Sequence, residues 1–320
     1  MKKEIGGYIE LDKYNMPMLH EGAVALNCGR NALAYLIRTK DIKRIYLPKF
    51  ICNSIISVCK KEGILVSFYH IDIEFKPVID FVLNDGEWLY LVNYYGQLSN
   101  KEINCYAAQY VNIIVDQAHS YFQMPVNGVD TIYTCRKYFG VADGAFLYTD
   151  RKIQDSLPID ESFERMRFLL GRYERTAQEF YSEYVINNHY FEHQPIKQMS
   201  KLTYNLLHAI SYDIVRKKRE NNFIYLHKHL ERLNQLKIVN TGTYMYPLMI
   251  NNGEDVRKIL HLENVYIPTL WPTVLEICDR SDVEYKMTEN ILPLPIDQRY
   301  GAEEMAYLVS LVENAVNSCL

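Results

Sequence analysis

The chain has 320 residues, 48% hydrophobic and 23% charged, an ordinary composition for a globular protein with room for one large domain and a smaller one. Its formal net charge of -4 argues against a polyanion partner such as nucleic acid, and no apolar run approaches the length of a membrane span. The opening Met1-Lys2-Lys3-Glu4 leads into polar sequence, not into a hydrophobic signal region. The seven cysteines (Cys28, Cys52, Cys59, Cys105, Cys135, Cys278 and Cys319) are scattered and contain no C-x-x-C pair, which points to reduced thiols in a cytoplasmic protein. None of the nine histidines sits in an H-E-x-x-H motif, so no metal site is expected.

The first half alternates helical and extended patterns. Arg30 to Arg38 carries apolar residues at helical spacing, and Arg44 to Leu47 reads as a short strand ending at Pro48. Ser54 to Glu62 reads as a helix stopped by Gly63. Extended runs follow at Ile64 to Tyr69, Trp88 to Val92, Val111 to Val115, Thr131 to Thr134 and Ala145 to Tyr148. This alternation predicts an α/β fold with a mostly parallel central sheet and helices on both faces over residues 1–155. Residues 156–236 predict two long amphipathic helices, and residues 237–320 a small C-terminal α/β domain. The basic run Arg216 to Arg219 next to Glu220 reads as a solvated helix face.

Three segments bear chemistry-capable residues in a suggestive order. In Asn27-Cys28-Gly29-Arg30-Asn31, a glycine turn opens a helix whose free N–H groups and dipole suit a phosphate, and Arg30 adds a permanent cation. Most glycine-containing helix starts are turns only, and that reading also stands. In Ile113-Ile114-Val115-Asp116-Gln117-Ala118-His119, an apolar strand ends in a carboxylate, at the strand end where ligands of α/β sheets bind. Asp116 is either a helix cap or the partner of a cationic ring nitrogen. His119 braces the same ligand or is structural. In Thr131 to Gly140, a strand is followed by Lys137, beside Arg136 and Thr134. A surface pair is the plain reading; a bound cofactor and Arg136 would lower the lysine pKa and favour a nucleophilic amine.

These segments, with IYLPKFICNSI, the FYHID strand end, NYYGQ, TCRKYFGVADGAFLYTD, QMSKLTYNLLHAISYDIVRKKREN and ILPLPIDQRYG, resemble the DegT-type sugar aminotransferase family. The resemblance covers most of the chain. It implies a fold-type-I pyridoxal-phosphate (PLP) transferase architecture and PLP as cofactor. Lys137 would be the Schiff-base lysine and Asp116 the partner of the pyridine nitrogen. His119 would lie by the phenolic oxygen, Gly29 and Arg30 at the phosphate turn, and Thr134 near the phosphate. The resemblance also implies an amino donor such as glutamate, a nucleotide-linked keto-sugar acceptor, a role in surface polysaccharide or amino-sugar biosynthesis, and a homodimer with its interface around Phe168 to Tyr190.

There are departures. Arg30 stands where the family often has threonine. Cys52 aligns with the aromatic residue that stacks on the ring, leaving Phe50, Tyr94 or Tyr95 for that task. The family's asparagine-containing loop, which reaches the partner subunit's cofactor, has no match near Phe191 to Met199. Arg299 is a candidate anchor for the donor carboxylate. Two other readings remain: a PLP-dependent sugar dehydratase or lyase, in which histidine replaces the lysine, and a PLP-binding accessory protein without turnover.

Overall fold

A computed structural model describes residues 5–319. Along the chain run β1 (Val24–Leu26), α1 (Gly29–Thr39), β2 (Arg44–Pro48), α2 (Asn53–Lys61), β3 (Leu65–Ile71), β4 (Pro77–Val78), β5 (Glu87–Val92), α3 (Asn100–Gln109), β6 (Ile113–Asp116), β7 (Asp130–Thr134) and β8 (Ala145–Tyr148). Then come α4 (Arg167–Glu174), α5 (Tyr181–His193), α6 (Lys201–Leu207), α7 (Tyr212–Leu230), β9 (Met245–Met249), α8 (Gly253–Leu262), α9 (Val274–Ile277), α10 (Val283–Asn290), β10 (Ile291–Pro295) and α11 (Ala302–Ser318).

Eight strands form one sheet in the order β1-β8-β7-β6-β5-β2-β3-β4. The strands β7, β6, β5, β2 and β3 are mutually parallel, while β8, β1 and β4 pair antiparallel at the flanks. Trp88 to Val92 of β5 are buried without a break. Successive strand side chains point to opposite faces, so both faces of the sheet are covered there. β9 and β10 make a separate antiparallel pair, with Leu292 opposite Leu248. One apolar core joins the two sheets, running from Leu89 and Ile114 to Leu248, Leu294 and Val312.

Two expectations change. Residues 162–193 are not one helix: α4 stops at Glu174 and α5 starts at Tyr181. The Phe180 ring folds back onto Gly171, so closely that a Cβ there would collide with it. In a continuous helix those residues would be about 13 Å apart. The second predicted helix is also split, into α6 and α7. Ser200 caps α6 by accepting the Thr203 N–H at 3.1 Å, and the Tyr212 hydroxyl donates to the Leu207 carbonyl at 2.9 Å, satisfying the end of α6. The sequence reading also passed over β1 and β4, which are three and two residues long, and α3. The latter carries a capping box between Ser99 and Glu102.

A buried histidine pins the β8 side of the sheet. The fully buried His20 ring lies 4.1 Å from the Tyr133 ring, with Nε2 at 2.9 Å from the Tyr121 carbonyl and Nδ1 at 3.1 Å from the Tyr148 hydroxyl. A carbonyl only accepts, so Nε2 carries the hydrogen and Nδ1 accepts from Tyr148. Burial lowers the His20 pKa to about 4, against an ordinary value of 6.5, with the Tyr121 carbonyl opposing. The unfolded chain therefore binds the proton first. The stability that neutral His20 confers is intact above pH ~6.5 and is lost as pH falls through the window down to ~4, by about 3 kcal/mol in all. The wild type should lose more stability than His20→Gln between pH 7.5 and 4.5, read as the difference in urea midpoints; equal losses would contradict this account.

Candidate active site

β5, β6 and β7 are parallel neighbours, so their carboxyl ends at Val92, Asp116 and Thr134 lie along one edge of the sheet. Asp116 is held at the tip of β6. Its Oδ2 accepts from the Tyr90 hydroxyl at 2.9 Å and its Oδ1 from the Ala118 N–H at 2.8 Å. Burial pushes its carboxyl above the usual carboxylate range, and the Lys137 charge, then the Ala118 N–H and Tyr90 hydroxyl, pull it back. Lys137 responds in the opposite sense. Burial lowers its amine below the usual lysine value, and Asp116 and then Cys52 raise it, while Arg136 lowers it. Both residues keep part of their surface open.

The lysine loop is clamped from several sides. The Cys135 N–H donates to the Gly144 carbonyl at 3.0 Å, and the Gly144 N–H donates to the Asn27 carbonyl at 2.6 Å. Buried Asp143 accepts from the Ser200 N–H and Ser200 Oγ at 2.8 Å each, and from Thr203 Oγ1, which ties the loop to the start of α6. Gln298 donates to the Tyr138 carbonyl at 2.6 Å, and the Arg219 guanidinium lies 4.5 Å over the Tyr138 ring. Lys137 Nζ is 5.3 Å from the centre of the Tyr244 ring.

His119 is buried, and neither ring nitrogen has a partner. Burial, and then the Lys137 charge, hold its pKa well below the usual value, so the ring is neutral. Aromatic rings enclose it: Tyr95 at 5.1 Å, Tyr244 at 5.3 Å, and Trp271 stacked at 5.6 Å with a 14° interplanar angle. Trp271 also meets Phe50 edge-on at 4.6 Å and Tyr94 at 5.6 Å. Tyr95 adopts φ 50 beside Gly96 at φ 70, and a Cβ on Gly96 would collide with Thr241 Oγ1, so the Tyr-Tyr-Gly turn requires its glycine.

The predicted residues sort as follows. Lys137, Asp116, His119 and Cys52 lie within one electrostatic neighbourhood. Cys52 sits at the start of α2 with its sulfur 2.6 Å from Ser54 Oγ. Tyr95 packs on His119, and Thr134 ends β7 beside the loop. Gly29 begins α1, but a Cβ there would meet only Ile132 Cγ2, at an ordinary 3.8 Å, so no close backbone approach demands glycine. Arg30 points to α5, donating to the Asn188 carbonyl at 3.0 Å. Arg299 is held by Asp297 through Nε at 2.6 Å and Nη2 at 2.9 Å, and would have to leave that pair to take a substrate carboxylate. Tyr90, Tyr244, Trp271 and Arg136 were not singled out as site residues by sequence reasoning. Tyr90 was findable, two residues before a strand end and inside an apolar run; Tyr244 and Trp271 come from the far end of the chain and bore no local signal.

Elsewhere, one cleft lies between α4 and α5 near Asp160, Arg165 and Lys197, and another at the opposite, amino ends of the strands near Lys40, Trp88 and Asp130. His70, Asp282 and Glu284 cluster on β3 and α10, but Glu284 already accepts from the Ile71 N–H at 2.8 Å and Asp282 pairs with Lys49 at 3.8 Å.

Against burial, it is chiefly the Asp116 charge that favours the protonated Lys137 amine. Asp116→Asn is therefore expected to lower the Lys137 pKa further. The pH profile of amine acylation at Lys137, followed by peptide mapping, measures it; an unmoved midpoint would show that the two groups do not share a field.

No model of a known protein family matches the sequence, and no curated protein sequence does so. Solved structures do match in shape. Spr1654 of Streptococcus pneumoniae, assigned as a sugar aminotransferase and solved in a PMP form, superposes with a TM-score of 0.66 at 11% identity, over 96% of this chain and 94% of that one. PseC of Helicobacter pylori, an aminotransferase involved in pseudoaminic acid biosynthesis, gives 0.62 at 11% identity, over 96% and 94%. DesV of S. venezuelae, solved with a ketimine intermediate, gives 0.62 at 14% identity, over 95% and 91%. At such identities the likeness concerns the fold: along nearly its whole length, this chain has the fold of these aminotransferase structures.

Proposed function

We propose that the protein is a PLP-dependent aminotransferase that moves an amino group from an amino acid such as glutamate to a nucleotide-linked keto-sugar. The observation that carries this reading is the half-buried Lys137 side chain within electrostatic reach of Asp116, at the carboxyl edge of the sheet. The fold shared with structures named for sugar aminotransferases supports the reaction class. The residues present fit the cofactor. Buried polar atoms are nearly always paired in native structures, yet both His119 nitrogens and the Nε atoms of Arg30 and Arg136 have no partner. Those are the donors that a ligand with a phenolic oxygen and a phosphate would satisfy.

Bound there, PLP would supply an electrophilic carbon for amines and a cationic ring that takes up the electron pair of a breaking Cα–H bond. The protein's part follows from its own groups. Asp116, oriented by Tyr90 and Ala118, presents a carboxylate to a protonated ring nitrogen. Lys137, whose ammonium form is disfavoured by burial, is the amine that would hold the cofactor and, once released, would carry the proton. Neutral His119 offers an N–H to an oxygen anion. Trp271, Tyr95 and Tyr244 exclude water from this end. Arg299, once parted from Asp297, anchors the donor carboxylate. A homodimer through α4 and α5 is supported by the exposed Leu170, Tyr173, Tyr181 and Ile186 on those helices. A cytoplasmic setting is supported by seven cysteines that are all unpaired. Among the described residues no helix is long and apolar enough to cross a membrane.

A second reading, a PLP-binding protein without turnover, draws on Trp271, which stacks on His119 and meets Phe50 edge-on, filling space beside the lysine loop. The retained Lys137 speaks against the dehydratase branch, in which histidine takes its place.

Purified protein should show a visible absorbance band with PLP, and borohydride should fix the cofactor on Lys137. Glutamate should convert the bound cofactor to its amine form, and Lys137→Ala should lower that conversion by about 10²–10⁴-fold or more. A protein that takes up no PLP sinks the proposal, and one that binds PLP without any conversion favours the second reading. Arg299→Ala should raise the donor KM about 10-fold with little change in kcat; an unchanged KM removes Arg299 from the site.

A further inference from the structure

Two arginines converge on one asparagine near the lysine loop, and neither is neutralised. Arg30, in the first turn of α1, donates through Nη1 to the Asn188 carbonyl at 3.0 Å. Arg136, next to Lys137, donates through Nη1 to Asn188 Oδ1 at 2.7 Å, with its guanidinium 4.7 Å over the Phe191 ring. Both Nε atoms are shut off from solvent and have no partner. Among the described residues no carboxylate pairs with either guanidinium. Asp143, whose charge reaches Arg136, has its oxygens taken by Ser200 and Thr203. Arg219 and Arg165 differ: Arg219 spends its donors on Gln298 and the Thr243 and Tyr244 carbonyls, and Arg165 pairs with Asp160 at 2.8 Å. Arg257 shares the unpartnered Nε, but it stands alone, and its Nη2 donates to the Glu289 and Ile291 carbonyls.

The charges of Arg30 and Arg136 oppose each other, and burial lowers the Arg136 pKa before that repulsion is added. Two partly buried guanidiniums that share one asparagine and have no carboxylate partner favour an anion beside them. The start of α1 adds the same demand. Cys28 at the N-cap offers no side-chain oxygen, only a thiol facing the Arg30 and Asn31 amides, and the first turn holds no acidic residue. A dianion with tetrahedral oxygens matches the remaining forked donors.

We propose that Arg30 and Arg136 form a two-guanidinium clamp for a phosphate dianion, with Asn188 of the same chain holding the two forks in register. Assigning that phosphate to the cofactor rests on the PLP reading above; the phosphate of a nucleotide-linked substrate carries the same chemistry. The clamp takes all its side chains from one chain, and it makes Arg136 a binding residue where the sequence suggested only a neighbour that tunes Lys137. Asn188 is then a positioning residue, brought to the site because α5 begins afresh after α4.

The test compares ligands with and without the phosphate. Full-length wild type, Arg30→Gln, Arg136→Gln and Arg136→Lys are titrated with PLP and with pyridoxal by absorbance, and with inorganic phosphate and UDP by calorimetry. Wild type should bind PLP at least about 100-fold tighter than pyridoxal. Arg136→Gln and Arg30→Gln should each weaken PLP by about 10- to 100-fold and leave pyridoxal unchanged, and Arg136→Lys should recover part of the loss. A merely structural role for Arg136 would weaken both ligands alike. If Arg136→Gln keeps the wild-type preference for PLP over pyridoxal, the clamp is overturned while the Lys137 chemistry stands. If PLP does not bind but inorganic phosphate or UDP does, and Arg136→Gln abolishes it, the clamp stands and serves the substrate. If no phosphate compound binds the wild type, the clamp falls together with the cofactor reading.

Discussion

A carboxylate at the tip of a packed strand must be matched by donors or by a cation, because an isolated charge is not tolerated there. Asp116 meets that constraint with the Tyr90 hydroxyl, the Ala118 amide and the charge of Lys137. Each of these depends on the parallel sheet. Tyr90 comes from β5, which pairs with β6 so that Val92 lies opposite Asp116, and Ile132 of β7 lies opposite Asp116 on the other side. The same register delivers the loop after β7, and with it Lys137. Asp116 and Lys137 act on each other through their charges, each opposing the effect of burial on the other.

The loop that carries Lys137 is fixed by groups distant in sequence. Asp143 is fastened to Ser200 and Thr203 on α6, and Tyr138 to Gln298 and Arg219. The interruption between α4 and α5 serves the same end. α5 approaches the loop with two successive asparagines: Asn187 donates to the Ala142 carbonyl at 2.9 Å, and Asn188 receives Arg136. The result is a rigid frame around polar atoms left free, His119 and the two arginine Nε atoms among them. Rigid surroundings with unsatisfied donors are what preorganised ligand sites require.

The aromatic wall draws on both halves of the chain. Phe50, Tyr94 and Tyr95 follow strands of the large sheet, whereas Trp271 and Tyr244 come from the C-terminal region. Trp271 sits at φ 58, a backbone conformation uncommon for a bulky residue. Such strain persists only where the surroundings impose it, and here it brings an indole ring against His119.

Local pattern by itself determined the strand–helix alternation of the first half, the strand ends at Asp116 and Thr134, and the lysine that follows, because apolar runs and turn residues within ten positions encode them. It also carried enough resemblance to suggest the fold-type-I architecture. Only the tertiary structure decided where the long polar helices break, since Phe180 packing on Gly171 and Tyr212 bonding to Leu207 are contacts that helical periodicity does not record. Only the tertiary structure brought Tyr244 and Trp271 to His119 and set Arg30 and Arg136 on one asparagine. These pairings span up to 158 residues, as between Arg30 and Asn188. No window of sequence registers them, because they exist only once the sheet has closed the loops over a common edge.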